Sequence, residues 1–343
     1  MVDWHDEAAF FAWVAEQGGR RGWSLPRIAA PRQRPWSIVY EVLCDDGRRC
    51  FAKASAPQLQ YESALTATLA EWEPGFVPAA LARDDERGWL ILADAGRPLR
   101  ELTDGAEILP LWRRFLPRFA ATQRRLQQRE TELLLLGIPD RRLEQLPLRL
   151  RALIEGEQAG RLQADLPVAG GRDENALGEK LSVEEWQTLC QSVPKFAEEC
   201  AHLAECGIAP SLHHDDFHDG NLFIQGAGHL VLADWGESAL AHPFFSLRVA
   251  LRYLAFRLEI APDAAELIEL ADAYLAVWGE PQQLRAQLAL ALHLASVNRA
   301  LTWAECAAMS DDEEDHCAAA AWLRRYLRGS AGPLTHPGGS FSG

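Results

Sequence analysis

Asp216-Phe217-His218-Asp219-Gly220-Asn221, with Asp234-Trp235-Gly236 thirteen residues after Asn221, is the stretch that decides the fold. Between them, Leu222-Phe223-Ile224-Gln225 and His229-Leu230-Val231-Leu232-Ala233 flank Gly226-Ala227-Gly228. Two apolar runs around a Gly-bearing three-residue turn predict a short β-hairpin. A turn centred on Ala227 sets Asn221 opposite Ala233 and next to Asp234. An amide oxygen and a carboxylate then meet at the open end of the hairpin. A second carboxylate, Asp216, lies one short loop away. Oxygen ligands gathered in this way suit Mg²⁺ carrying substrate phosphates. A carboxylate beside them suits a general base for a hydroxyl nucleophile.

His213, His214, Asp215, Asp216, His218 and Asp219 also form a dense cluster of candidate ligands. Taken without a fold, the cluster suits a His/Asp metal-dependent hydrolase holding zinc or two irons. Such a site needs further His or Asp ligands from distant loops, and His229, His242 and His293 show no such grouping. It would also leave Lys53, Glu62 and the Asp234-Trp235-Gly236 turn without a purpose. In the plainest alternative, the cluster only caps loops.

The two motifs resemble the catalytic core of the aminoglycoside phosphotransferase family, small-molecule kinases with the protein-kinase-like fold. That family reads His-Gly-Asp-Leu-His-Pro-Gly-Asn and then Asp-hydrophobic-Gly. Here the first motif is His214-Asp215-Asp216-Phe217-His218-Asp219-Gly220-Asn221. The resemblance implies that Asp216 is catalytic and that Asn221 and Asp234 hold metal. His218 takes a position that is lysine in many protein kinases, where it would touch the transferred phosphate or support the loop. His214 would be structural, beside the Asp-x-Gly turn. Asp215 replaces the usual Gly and Asp219 the usual Pro, so both add negative charge near a triphosphate site. The implied fold class is α+β and bilobal, with a small antiparallel-sheet N-lobe and a larger, mostly helical C-lobe.

The first lobe supplies the remaining candidates. Ile38 to Leu43 and Arg49 to Ala54 predict a hairpin around Asp45-Asp46-Gly47, and Lys53 ends its second strand. A helix follows from about Pro57 to Trp72. On it Leu65, Leu69 and Trp72 recur at i, i+4 and i+7, a buried stripe that Glu62 shares three residues earlier. An inward carboxylate needs a partner, and Lys53 can be it, although a surface ion pair would read the same. In kinase-like enzymes such a pair sets the lysine on the α- and β-phosphates. No Gly-rich phosphate loop is present. Arg34-Pro35-Trp36-Ser37-Ile38-Val39-Tyr40 stands in its place and is one residue away from the family's Ser-x-x-Val-Tyr pattern. Ser37 is therefore either a phosphate contact or a plain turn serine. Val77 to Ala82 and Trp89 to Leu92 predict two more strands. By position, Ala93-Asp94-Ala95 would be the hinge, so the backbones of Ala93 and Ala95 are adenine contacts by resemblance.

Beyond the connector Ala93 to Pro98 the pattern turns helical. Candidates are 108–136, 141–157, 183–206, 244–259, 264–278, 281–303 and 316–328, with a loop over Gln163 to Glu179. The expected domains are a nucleotide-binding lobe over 1–95, a catalytic and substrate lobe over 96–330, and a disordered tail over 331–343. The chain has 343 residues, 48% of them hydrophobic, and a net charge of −15. Such acidity argues against nucleic acid, which needs clustered positive charge, and favours a neutral or cationic acceptor. No apolar run is long enough to span a membrane. Seven scattered cysteines suggest reduced thiols in a cytoplasm. Lys53, Lys180 and Lys195 are the only lysines, so Lys53 stands out in an Arg-rich chain.

No long activation segment follows Asp234-Trp235-Gly236, which points away from a protein substrate. Acceptor candidates on later elements are Glu237, Arg252, Arg257 and the acidic run Asp311 to Asp315, although such runs are more often solvated loops. Twelve tryptophans allow a cage for a cationic amine, or ordinary core packing. Together these features predict an ATP- and Mg-dependent phosphotransferase. It would move the γ-phosphate to a hydroxyl of an amino sugar, aminoglycoside, choline-like amine or related metabolite. The alternative is a catalytically silent, nucleotide-binding kinase fold. Oligomeric state is left open.

Overall fold

The computed structural model describes residues 6–23, 27–29, 31–102, 105–157, 159–163, 179–226 and 228–329. Most of the expected loop Gln163 to Glu179, the tail after Gly329 and the turn residue Ala227 lie outside them. The fold is mixed α+β, as expected. Contacts group the chain into two compact units: Met1–Leu102 with Leu135–Ile138 and Asp219–Glu237, and Thr103–Leu134 with Pro139–His218 and Ser238–Gly343. The chain thus passes from the second unit to the first between His218 and Asp219, in the middle of its most informative motif.

The first unit is built on an antiparallel sheet. Its strands run in the order Arg27–Ile28, Ser37–Leu43, Arg49–Ser55, Trp89–Ala93 and Ala80–Asp84, with Arg32–Arg34 also on Ser37–Leu43. Alternation decides which side chains face where. Ile38, Tyr40, Val42, Ala52 and Ala54 are buried against Phe10, Trp13 and Val14 of the helix Glu7–Gly19. Lys53, between Ala52 and Ala54, therefore takes the opposite face. There the helix Tyr61–Trp72 packs, with Leu65 and Leu69 fully buried and Trp72 half-buried. The strand expected at Val77 to Ala82 begins three residues later, at Ala80. Arg27–Ile28 and Arg32–Arg34 are too short to show a period in the sequence.

A second sheet of this unit has the order His229–Leu232, Leu222–Gln225, Arg97–Pro98. Its hairpin pairs Leu222 with Leu232 and Gln225 with His229, the predicted register. Gly96 brings the connector onto it: a Cβ there would fall 2.1 Å from the Ile224 carbonyl oxygen, so only glycine fits.

The second unit is mostly helical. Its long helices are Gly105–Leu126, Val183–Ala204, Leu247–Leu258, Ala265–Leu275, Pro281–Ala307 and Glu313–Leu327. The helix expected over 108–136 is interrupted by a 3₁₀ turn at Gln127–Arg129. The one expected over 141–157 starts only at Leu146, because Asp140–Arg141 is a strand. That strand pairs parallel with Ser238–Ala241, which pairs antiparallel with Ser211–His214. This small sheet holds the approach to Asp216, and its two- and four-residue strands carry no readable alternation. Among the described residues no helix is long and apolar enough to cross a membrane. All seven cysteines are free.

Candidate active site

In the first unit, three charged side chains from distant parts of the sequence converge. Lys53 Nζ lies 2.7 Å from Glu62 Oε1 and 2.6 Å from Asp234 Oδ1. Glu62 is 2% exposed, and its other oxygen accepts from Ser55 Oγ at 3.0 Å. The face-sharing argument therefore holds: the inward glutamate has the lysine as its partner. Burial alone would push the Lys53 ammonium down. The charges of Asp234 and Glu62 more than offset it, so Lys53 is held above its ordinary value and stays charged. The Asp234 side chain is half exposed, in contrast to the other two.

The turn after the hairpin is shaped to present Asp234. Ala233 N–H donates to the Asn221 carbonyl at 2.9 Å, which closes the hairpin at Asn221. Asp234 then takes φ 66°, the left-handed region that few non-glycine residues enter. Trp235 is buried and its Nε1 donates to the Leu232 carbonyl at 3.0 Å. Tyr61 Oη donates to the Gly236 carbonyl at 2.5 Å. A Cβ on Gly236 would lie 2.9 Å from Glu62 Oε2, so the glycine permits the close approach of turn and helix. Asn221 is buried beside it. An amide and a carboxylate oxygen, with no sulfur or imidazole, fit a hard cation that takes its remaining ligands from phosphate and water.

Ser37 begins its strand directly after the turn Pro35-Trp36 and pairs with both Arg34 and Ser55. A tight two-residue turn thus stands where a glycine-rich loop is absent. At the connector, Ala93 N–H donates to the Ala79 carbonyl at 2.9 Å. The Asp94 carbonyl accepts from Gln225 Nε2 at 2.9 Å, and its carboxylate binds Arg49 Nε at 2.9 Å and Gly96 N–H at 2.9 Å. An adenine contact at Ala93 would therefore fall to its carbonyl. Ala95 is buried.

In the second unit the Asp216 carboxylate receives Arg299 Nη2 at 2.8 Å and lies 3.1 Å from His218 Nε2. Burial would raise its pKa. The charge of Arg299 and the contact with His218 override that and hold Asp216 well below the usual carboxylate range. His214 Nδ1 accepts the Asp216 N–H at 3.3 Å, so it shapes the loop at Asp216 itself. Asp215 is buried, with Oδ1 2.9 Å from His213 Nε2 and Oδ2 3.8 Å from Arg299 Nη1. Burial pushes Asp215 up, but His213 and Arg299 hold it below the carboxylate norm. His213 is also bonded to Ser246 Oγ at 2.9 Å through Nδ1 and lies 3.1 Å from Asn298 Nδ2. Both ring nitrogens are thus engaged by protein groups. Among the described residues, no group of three or more His, Cys, Asp or Glu side chains is placed to hold a metal ion. The His/Asp hydrolase loses its ligand set.

The sequence of the chain matches the profile of the phosphotransferase enzyme family (APH) over residues 39–286. The chain belongs to that family. The match spans both motifs and the Lys53–Glu62 pair. No curated protein matches the sequence. Solved structures show the same protein-kinase-like fold. An ethanolamine kinase from Plasmodium vivax aligns with TM-score 0.61 at 12% identity, covering 88% of this chain and 81% of that one. Choline kinase LicA from Streptococcus pneumoniae gives 0.57 at 13%, covering 93% and 97%. Amicoumacin kinase hAmiN, solved with AMP-PNP, Ca²⁺ and Ami, gives 0.55 at 12%, covering 97% and 96%. This phosphotransferase-family chain is a small-molecule kinase by class.

Sequence reasoning missed Arg299, the cation that binds both Asp216 and Asp215. It also missed Arg100, whose Nη2 lies 3.5 Å from Asp219 Oδ1 while its N–H donates to the Asp219 carbonyl at 3.1 Å. The two carboxylates that depart from the family pattern are each matched by an arginine. The acidic run turned out to be a helix start: Asp312 Oδ1 accepts the Glu314 N–H at 3.0 Å, and Asp315 accepts from Ser310 Oγ at 2.6 Å.

Proposed function

We propose that this chain is an ATP- and Mg²⁺-dependent phosphotransferase that moves the γ-phosphate to the hydroxyl of a small molecule. The observation that carries the reading is the convergence of Glu62 and Asp234 on Lys53 Nζ at 2.7 and 2.6 Å. A purely structural lysine has no use for a partly exposed second carboxylate in a strained backbone position. Lys53 supplies the fixed positive charge for α- and β-phosphate oxygens, and Glu62 sets its position. Asn221 and Asp234 would hold a magnesium ion, which would supply positive charge against the phosphates as negative charge develops. Ser37 and the turn before it cover the phosphates, and the Ala93 carbonyl and Ala95 backbone contact adenine.

Asp216 orients the acceptor hydroxyl. As the new oxygen–phosphorus bond forms, the bond from the γ-phosphorus to the bridging oxygen breaks and ADP leaves; the hydroxyl proton passes to the Asp216 carboxylate. Its depressed pKa makes it a weak base, which suits a loose transition state where the proton moves late. His218, bonded to the same carboxylate, keeps it in place and faces the transferred group. Free cysteines throughout agree with a cytoplasmic location.

Lys53→Met keeps the unbranched stem, one atom shorter, and removes the charge. Turnover should fall about 10²- to 10³-fold, the usual loss when one electrostatic donor is removed. Calorimetry should show Mg·ATP binding weakened in parallel. Undiminished affinity and turnover would sink the assignment. Strong Mg·ATP binding by the parent with no transfer to any hydroxyl acceptor would instead restore the catalytically silent alternative.

A further inference from the structure

The second unit contains a cavity of about 460 Å³ whose lining includes Arg252, Tyr253, Arg299, Trp303, Trp322 and Arg325. Two of these residues tie it to the catalytic loop. Arg299 is bonded to Asp216, and the Tyr253 ring lies 4.9 Å from that of His218. The size suits a small metabolite.

Its polarity is unusual for so acidic a chain. Arg248, Arg252 and Arg325 lie over the ring of Trp322 at 5.6, 5.9 and 5.3 Å, and Arg299 lies over Trp303 at 5.4 Å. The aromatic faces that a cationic amine would use are taken by guanidinium groups. Arg248 is more than nine-tenths buried, and its Nε has no hydrogen-bond partner. No carboxylate forms an ion pair with it among the described residues. Burial first, then the charges of Arg325 and Arg252, push it down to about 9. A buried cation with like charges around it is costly unless an anion answers it. The acids of the lining, Glu314 and Asp315, sit at the more exposed end, and Asp315 already accepts from Ser310. The buried end is cationic.

We infer that this cavity is the acceptor pocket and that the acceptor is an anion. A carboxylate or phosphate group is held by Arg252 and Arg325 of the lining, and the buried Arg248, outside the lining beside the Trp322 ring, adds its charge. The body of the acceptor lies against Val249, Tyr253 and Phe256 of the lining, and the hydroxyl reaches towards Asp216. The inference rests on the phosphotransferase reading and gives its substrate a charge opposite to that suggested by net charge alone.

Ring-matched ligands test it. Indole-3-lactate and tryptophanol share an indole and a hydroxyl but carry a carboxylate and an ammonium respectively. Binding to the full chain is measured by calorimetry with Mg·ADP present, which occupies the nucleotide site and reports on it separately. Glycerol 3-phosphate and choline form a second pair, and tell a phosphate from a carboxylate preference. In at least one pair the anion should bind about tenfold or more tightly, with the gap narrowing at high salt. Arg252→Gln, at a half-buried position, should remove most of that preference. Equal or tighter binding of the cations, no binding of either anion, or an anion preference unmoved by Arg252→Gln each overturns the inference. Failure of Mg·ADP to bind would count against the kinase reading instead.

Discussion

The Lys53 cluster of the first unit and the Arg299 cluster of the second solve the same problem by opposite routes. Each sets two carboxylates around one cation. In the first, the lysine and Glu62 are nine residues apart on a strand and the next helix. In the second, Arg299 comes from 83 residues beyond Asp216, on the helix Pro281–Ala307. Lysine offers a compact charge on a flexible stem, suited to a phosphate that must arrive and leave. Arginine offers a rigid fork that reaches Asp215 and Asp216 at once. On the proposed function, the first cluster exchanges partners and the second holds two carboxylates still. The difference shows why one cluster is set by neighbouring elements of the sequence while the other depends on a distant helix.

The comparison breaks most visibly at Asp216. Asp216→Asn keeps the shape and a polar contact for Arg299 but removes the base. It should lower kcat about 10²- to 10⁴-fold. Mg·ATP affinity should stay nearly unchanged, since Lys53, Asn221 and Asp234 are untouched. Rapid-quench turnover with calorimetry in parallel separates the two quantities. Full activity would mean that the second cluster is only structural, whereas a collapse of nucleotide affinity would mean that the division of labour is wrong.

Arg299→Gln is the next largest. Removing a cation from between buried carboxylates destabilises by about 3–5 kcal/mol, because charge is left without an answer. The sign with pH follows from the depressed Asp216 and Asp215. Each contributes stability above its unfolded pKa of roughly 4, and that stability is lost as pH falls through the folded value. The variant loses that contribution, so its deficit is greatest near neutrality and shrinks in acid. Urea melts at several pH values would check this. In the same variant Asp216 takes a proton more readily, so the acid limb of kcat/KM should move to higher pH. A merely structural role would leave that limb where it is.

What was legible in the sequence follows from range. The Leu222–Leu232 pairing could be read because two apolar runs and a glycine turn lie within fifteen residues. The Lys53–Glu62 pair could be read because a strand end and one helix face fix both positions. The sheet of Asp140–Arg141, Ser211–His214 and Ser238–Ala241 could not, since its strands are too short to alternate. Arg299 had a signal that went unused. It sits in Leu294-Ala295-Ser296-Val297-Asn298-Arg299-Ala300-Leu301, where every residue is buried. A guanidinium in so apolar a helix needs a carboxylate, and Asp215 and Asp219, the extra acids of the motif, were the two unaccounted for. Arg248, within Leu247-Arg248-Val249-Ala250-Leu251, carries the same signal with no ion-paired carboxylate among the described residues. The pattern that exposes a structural pair at Arg299 agrees with the anion inferred for the cavity beside Arg248.

The smallest expected effect is at Arg100, and it sharpens the contrast between buried and exposed compensation. Its side chain is half exposed, while the side chain of Asp219 is 9% exposed. The guanidinium lies over Gly220, where a Cβ would fall 2.3 Å from Arg100 Cζ. Water and salt screen such a cation, so the pair is worth about 0–1 kcal/mol. Arg100→Ala should barely change the melting temperature. It should, however, leave the Asp219 charge less screened two residues before Asn221. The local potential becomes more negative, so Mg²⁺ should bind slightly more tightly and ATP without metal slightly more weakly, each by less than about threefold at low salt. Raising the salt should erase both changes, whereas the Arg299→Gln deficit, shielded from solvent, should persist. Metal titrations at two ionic strengths decide it. A large, salt-resistant loss at Arg100 would place that arginine in direct contact with the nucleotide and remove the distinction drawn between the two arginines.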